Sequence, residues 1–270
     1  GNGREIIWGR GACDMKAGVA VQLSVAAALV RPARDVTWVF YDNEEVEASR
    51  NGLGRMAGEH PELLQGSFAV LCEPTSARIE GGCQGTMLLQ VELTGVAAHS
   101  ARAWMGHNAI HDAGGVLQRL ASHQPEQIEV DGLTYHEGLN AVGITGGIAG
   151  NIIPDRCIVE VNYRFAPDKS AAQAEAYVRE ILAGYSVQIL DVAAGARPGL
   201  DQPAAAEFLR AVGGDASAKL GWTDVARFSS MGIPAVNFGP GDATKAHADD
   251  EFCPAEDVIA CRSALLRWLS

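Results

Sequence analysis

Val36-Thr37-Trp38-Val39-Phe40-Tyr41 is an unbroken apolar, β-prone run, and it stops at Asp42-Asn43-Glu44-Glu45. A strand that is apolar at every position predicts burial on both faces, as in a sheet wrapped by helices. The carboxylates at its end fall where such sheets place their ligand sites, outside the carboxyl ends of the strands. Residues 68–72 repeat the design, an apolar run followed by Glu73-Pro74-Thr75. Upstream, residues 15–30 are rich in Ala, Val and Leu and predict a buried helix, with Asp14 placed as its N-cap. Helix-and-loop material at residues 52–58 separates the two runs. This alternation predicts an α/β fold built on a mainly parallel sheet.

The texture changes near residues 81–85. Residues 87–95 alternate, with Leu89, Val91 and Leu93 on one face, as a half-exposed strand should. A helix is predicted at 108–122, strands near 127–133 and 139–147, an alternating strand at 157–165, a helix at 170–183 and a strand at 186–191. That order is close to β-α-β-β-α-β, a ferredoxin-like split-βαβ module. The first texture then returns, with a helix at 203–212, a buried strand at 233–238 and a closing helix at 254–269 with Pro254 at its first turn. The chain therefore reads as a discontinuous domain, residues 1–84 and 197–270, interrupted by a second domain at 85–196.

With 270 residues, 47% of them hydrophobic, the chain can bury one large core or two ordinary ones. The net charge of −12 argues against nucleic acid and against an anionic membrane surface, both of which select basic proteins. The six cysteines (Cys13, Cys72, Cys83, Cys157, Cys253, Cys261) show no metal-finger spacing and predict buried free thiols. No apolar run reaches a membrane-spanning length and no secretory signal is visible, so the cytoplasm is the expected location.

Carboxylates gathered at strand ends, with a histidine brought in from far along the chain, make a hard-to-borderline metal site, and a carboxylate left beside the metal can act as general base. The candidates are Asp14 in Gly9-Arg10-Gly11-Ala12-Cys13-Asp14-Met15-Lys16, Glu44 and Glu45, Glu73, and His247 in Lys245-Ala246-His247-Ala248-Asp249-Asp250-Glu251. Each has a plainer reading. Asp14 alone serves as well for a helix cap, adjacent glutamates are usually a solvated turn, and a lone loop histidine is more often a surface residue than a ligand. Asp42 and Glu47 read as solvent-facing. In the second domain, His99 directly follows a strand, so a functional His99 must act across domains or across a dimer. Asn151 and Arg164 lie in that domain too, and an arginine fork suits a carboxylate if it faces a cleft.

Taken together, these strings resemble the M20 family of dinuclear zinc amidohydrolases over essentially the whole chain and in the family's order, with the nearest likeness to its bacterial desuccinylase branch. The resemblance implies two zinc ions per subunit, with cobalt as a substitute. Asp14 would bridge them, and Glu45, Glu73 and His247 would be ligands. Glu44 would be the general base. The second domain would act as a lid and mediate a homodimer, in which His99 helps stabilise the oxyanion of the partner's site. Asn151 and Arg164 would bind a substrate carboxylate. The implied activity is hydrolysis of a linear amide, releasing succinate from N-succinyl-LL-2,6-diaminopimelate in lysine and cell-wall precursor biosynthesis. Acetylornithine deacetylation and dipeptide hydrolysis use the same shell. The partner is thus a small N-acyl amino acid.

The family also carries an H-x-D string upstream of the bridging aspartate, supplying a further histidine ligand. Nothing in the 13 residues before Asp14 matches it, and the expectation is that the natural start lies upstream. A non-catalytic, metal-poor member is the alternative this gap allows. A nucleotide-binding protein is disfavoured, because the glycine-rich Gly9–Asp14 string ends in a carboxylate that repels phosphate.

Overall fold

The computed structural model describes residues 5–44 and 50–270. Two compact units divide the chain. One comprises residues 1–83, 131–133 and 196–270, and the other residues 84–130 and 134–195.

The first unit is built on a four-stranded sheet in the order Ala216–Ala218, Ile79–Gly81, Ala235–Asn237, Ala69–Leu71. The two outer pairings are parallel and the central one is antiparallel. One core gathers Val21, Val25, Ile79, Phe208, Val236, Phe238, Cys261 and Leu265, with Phe68 and Trp268 packed on Phe208. A second core gathers Leu53, Leu71, Val225, Phe228 and Ala235. Apolar groups from one short strand feed both cores, Val236 the first and Ala235 the second. All three residues of that strand are buried, Asn237 included, and each fully buried large apolar side chain contributes about 1.5–3 kcal/mol. Helices Ala17–Ala28 and Pro203–Val212 both pack on the closing helix Ala255–Leu269. A two-stranded pairing, Ile6–Trp8 with Phe252–Pro254, brings the start of the described chain beside its late loops.

Three expectations change here. Residues 36–41 pair with no strand among the described residues, and they are not covered on both faces: Phe40 is 47% exposed. Backbone ladders, not apolar content, define a strand, and this run has no ladder partner among the described residues. Helix Ala17–Ala28 is buried on one face only, the face of Val21 and Val25, with Leu23 at 55% exposure. Asp14 is no N-cap. Its backbone is extended (φ −119°, ψ 97°), and the residue preceding the helix is Lys16, without a side-chain cap.

The second unit carries a four-stranded antiparallel sheet in the order Ser186–Ala193, Gly85–Thr94, Arg156–Phe165, Gly138–Gly146. Its long strands alternate: Met87, Leu89, Val91 and Leu93 meet Val159, Val161, Tyr163 and Phe165 on the face covered by helices Ala109–Ser122 and Ala171–Ile181. Asn108 caps the first helix through the Ile110 and His111 N–H groups. Ser170 and Gln173 form a reciprocal capping box on the second. All six cysteines are buried and free. Among the described residues, no helix is long and apolar enough to cross a membrane.

Candidate active site

The turn that carries Asp14 leaves the strand Ile6–Trp8, which the pairing with Phe252–Pro254 has already set beside Glu251. Glu251 is 2% exposed, and its carboxylate accepts three backbone N–H groups. Gly11 donates at 2.8 Å, Cys13 at 2.9 Å and Asp14 at 3.1 Å. Burial works to raise the pKa of Glu251. The donors from Asp14, Gly11 and Cys13, with the Arg10 charge, overcome that and hold it below the ordinary carboxylate range. Glu251 belongs to the His247 string, but nothing in the sequence singles it out. Its partners are main-chain donors, which no residue type advertises.

That grip sets the Asp14 side chain, 21% exposed, against His247. His247 Nε2 stands 3.4 Å from Asp14 Oδ2. Two ligands about 2.1 Å from one tetrahedral zinc stand roughly 3.4 Å apart, so this pair has the spacing of two donors sharing an ion. Cys13, next to Asp14, is a poor competitor as a ligand. Burial first, then the charges of Cys253, Asp14, Glu251 and Asp242, pushes its thiol up to about 12, and its Sγ donates to the Asp242 carbonyl at 3.0 Å.

Glu73 sits just past the strand Ala69–Leu71 and is buried. Its turn is fixed by close approach. A Cβ on Gly239 would meet the Glu73 and Cys72 carbonyl oxygens at 2.5 and 2.6 Å, and Gly18 of the first helix is pressed on the Cys72 carbonyl in the same way. The buried Lys219 donates to the Pro74 carbonyl at 3.4 Å and stands 3.0 Å from Glu80.

Glu44 is half-buried, and its carbonyl accepts from Asn51 Nδ2 at 3.3 Å. The phenol of Tyr41 is pushed well above its usual range, first by burial, then by the charge and hydrogen bond of Asp224, then by Glu44 and Glu73. Asp42 is exposed. Glu45 and Glu47 lie outside the described residues. Among the described residues, no three His, Cys, Asp or Glu side chains are grouped closely enough to hold a metal. The structure brings together Asp14 with His247. The donors are the oxygen and imidazole types that fit zinc.

In the second unit, the two-residue strands Ala98–His99 and Ile152–Ile153 pair antiparallel, and the Ser100 N–H donates to the Asn151 carbonyl at 2.9 Å. His99 and Asn151 are therefore neighbours, both exposed. The Ala101 N–H donates to His99 Nδ1 at 3.1 Å, which leaves the ring proton on Nε2. Arg164, half-buried on the long strand, donates from Nε to Asn162 Oδ1 at 3.2 Å.

In the first unit of this α/β chain one carboxylate and one imidazole, Asp14 and His247, stand at the spacing of two donors to one ion. The sequence pattern of peptidase family M20/M25/M40 matches residues 2–270, and the chain belongs to that family. The chain is 52% identical to the DapE protein of Mycobacterium tuberculosis over 97% of its length and 74% of the relative's. It is 43% identical to the succinyl-diaminopimelate desuccinylase of Corynebacterium glutamicum, over 98% and 74%. Among solved structures, a Staphylococcus aureus tripeptidase superposes with a TM-score of 0.74 at 23% identity, covering 96% of this chain and 70% of that one, which shows the shared fold. The chain is a metal-dependent amide hydrolase.

Proposed function

We propose that this protein releases succinate from N-succinyl-LL-2,6-diaminopimelate, serving lysine and diaminopimelate synthesis. The observation that carries the metal chemistry is the 3.4 Å separation of Asp14 Oδ2 and His247 Nε2. The likeness to two desuccinylase-type relatives supports the choice of acyl group.

In this reading Asp14, Glu45, Glu73 and His247 would hold the two zinc ions. The first unit is the catalytic domain and the second a lid. The metals, when bound, supply a water of lowered pKa and polarise the amide carbonyl. Glu44 accepts the proton of the attacking water and returns it to the departing amine. His99, with its proton on Nε2, donates to the developing oxyanion. Arg164 and Asn151 bind a substrate carboxylate, the arginine through its planar fork. A homodimer through the second unit is supported by its edge strand, Gly138–Gly146. Among the described residues that strand pairs on one side only, and it exposes Val142 (58%) and Ile144 (52%).

The test is succinate release by the zinc-loaded protein, with N-acetylornithine as the competing substrate. Fast release of succinate with little acetate is expected, and Glu44→Gln should retain the metals and lose at least about 100-fold in kcat, in line with the usual worth of a general base. Preferential acetylornithine cleavage would overturn the acyl assignment. Near wild-type turnover by Glu44→Gln would overturn the role of that residue.

A further inference from the structure

We infer that Asp224 is a positioning residue that holds the Glu44 turn at both of its ends. This deepens the reading of Glu44 as general base and rests on it. Asp224 is fully buried, at 0% exposure, and precedes the short helix Val225–Ser230 without capping it through its side chain. Its two oxygens do different work. Oδ1 accepts from Arg227 Nε at 2.5 Å. Oδ2 faces the turn and accepts twice, from the Tyr41 hydroxyl at 2.9 Å and from Asn51 Nδ2 at 3.1 Å.

Tyr41 lies three positions before Glu44 and Asn51 seven after it, so one oxygen atom ties the entry and the exit of the segment. Asn51 extends the tie to Glu44 itself. The same Nδ2 donates to the Glu44 carbonyl at 3.3 Å, while its Oδ1 accepts from the Gly54 N–H at 2.7 Å and caps helix Gly52–Glu59. The Asn51 side chain is 1% exposed, so water does not compete for these bonds. A base displaced by about 1 Å loses on the order of 100-fold in rate, so the tether has a kinetic consequence beyond stability.

The chemistry of the hub gives a selective probe. In Asp224→Asn, Arg227 can only donate, so it draws the amide oxygen toward itself and turns the NH2 group toward the loop. The Tyr41 hydroxyl can rotate to accept. Asn51 can meet an NH2 donor only by flipping its own amide, which surrenders both the Gly54 N–H and the Glu44 carbonyl. The double variant Asn51→Asp/Asp224→Asn reverses the polarity of that bond. The carboxylate introduced at position 51 accepts from the amide introduced at position 224 and from the Gly54 N–H. Packing and helix cap return, but the new carboxylate has no proton to give the Glu44 carbonyl.

The experiment compares the zinc-loaded wild type, Asp224→Asn and the double variant for kcat, KM, metal content, Tm and amide exchange at residues 40–44 and 50–54. The expected result for Asp224→Asn is a roughly 10- to 100-fold lower kcat with KM within about twofold, unchanged metal content and faster exchange at those amides. The double variant should regain most of the lost Tm without regaining kcat. Recovery of kcat together with Tm would reduce Asp224 to a fold-stabilising residue and overturn the inference, as would a kcat for Asp224→Asn within about twofold of wild type. Should the wild type release no succinate, the substrate reading fails separately. The exchange data then decide alone, unchanged protection in Asp224→Asn overturning the tether whatever amide the enzyme cleaves.

Discussion

The Asp14 turn and the Glu44 turn are each held by a buried carboxylate, but the two carboxylates reach their turns differently. Glu251 takes main-chain donors, the N–H groups of Gly11, Cys13 and Asp14. Asp224 takes side-chain donors, Tyr41 and Asn51. The first arrangement concentrates its vulnerability in one residue, because every partner is supplied by the backbone whatever the side chains are. The second spreads it over three residues, each of which can be lost in part. The turn that carries the proposed metal ligand Asp14 is gripped through the backbone. The turn that carries the proposed base Glu44 is tied through side chains at positions 41 and 51.

The largest expected effect follows from the first grip. Glu251→Ala strands three N–H donors in a site that is almost dry, and loses charge-assisted bonds of about 1.5–3 kcal/mol each in the worst case. A net loss of about 3 kcal/mol in unfolding free energy, read by urea denaturation, together with weakened zinc binding in titration calorimetry, is the expected outcome. Stability within about 0.5 kcal/mol of wild type would break the comparison. Glu251→Gln should fall between, at about 1–2 kcal/mol, since its NH2 group faces one donor and its oxygen keeps the rest.

A pH dependence sharpens the same point. The folded pKa of Glu251 lies below the ordinary glutamate value of 4.5, so its contribution is fully present above that value. It is lost as the pH falls from 4.5 through the lower folded value, where the carboxylate takes up a proton. Metal-stripped wild type should therefore show Tm falling more steeply below pH 4.5 than metal-stripped Glu251→Gln. Parallel curves would remove Glu251 from the acid sensitivity of this turn. The smallest effect belongs to the second grip: Tyr41→Phe removes one of two donors to Asp224 Oδ2 and should cost about 1 kcal/mol and a few-fold in kcat. A loss as large as that from Glu251→Ala would contradict the idea that the Asp224 tether divides its load.

What could be read from the residues follows the same division. The long strands Gly85–Thr94 and Arg156–Phe165 are legible because ten-residue alternation has one physical explanation, a face on a core and a face away from it. The capped helices Ala109–Ser122 and Ala171–Ile181 carry their start signals in Asn108 and Ser170. The strands Ile6–Trp8, Ile79–Gly81, Ala216–Ala218 and Phe252–Pro254 are three residues long, too short to display a period. Residues 36–41 mislead for the converse reason: apolar content is local, but a ladder needs a neighbour. In the site, Asp14 and His247 stand out in sequence through the strings around them. Glu251 and Asp224 do not, because one works on backbone amides and the other on residues more than 170 positions away. The close approach at Gly239 is likewise hidden, since only the fold reveals what a methyl group there would strike.

The backbone grip of Glu251 has a practical corollary for protein chemistry. Because the amide nitrogens of residues 11, 13 and 14 are what is held, the turn accepts any small side chain at position 13 that fills the buried space left by a thiol. Cys13→Ser also leaves a hydroxyl able to reach the Asp242 carbonyl that the thiol now contacts at 3.0 Å. Proline is barred there, having no amide hydrogen to offer. A cysteine-free version of the enzyme, suited to site-specific labelling elsewhere, can therefore begin at the residue adjoining the candidate bridging aspartate.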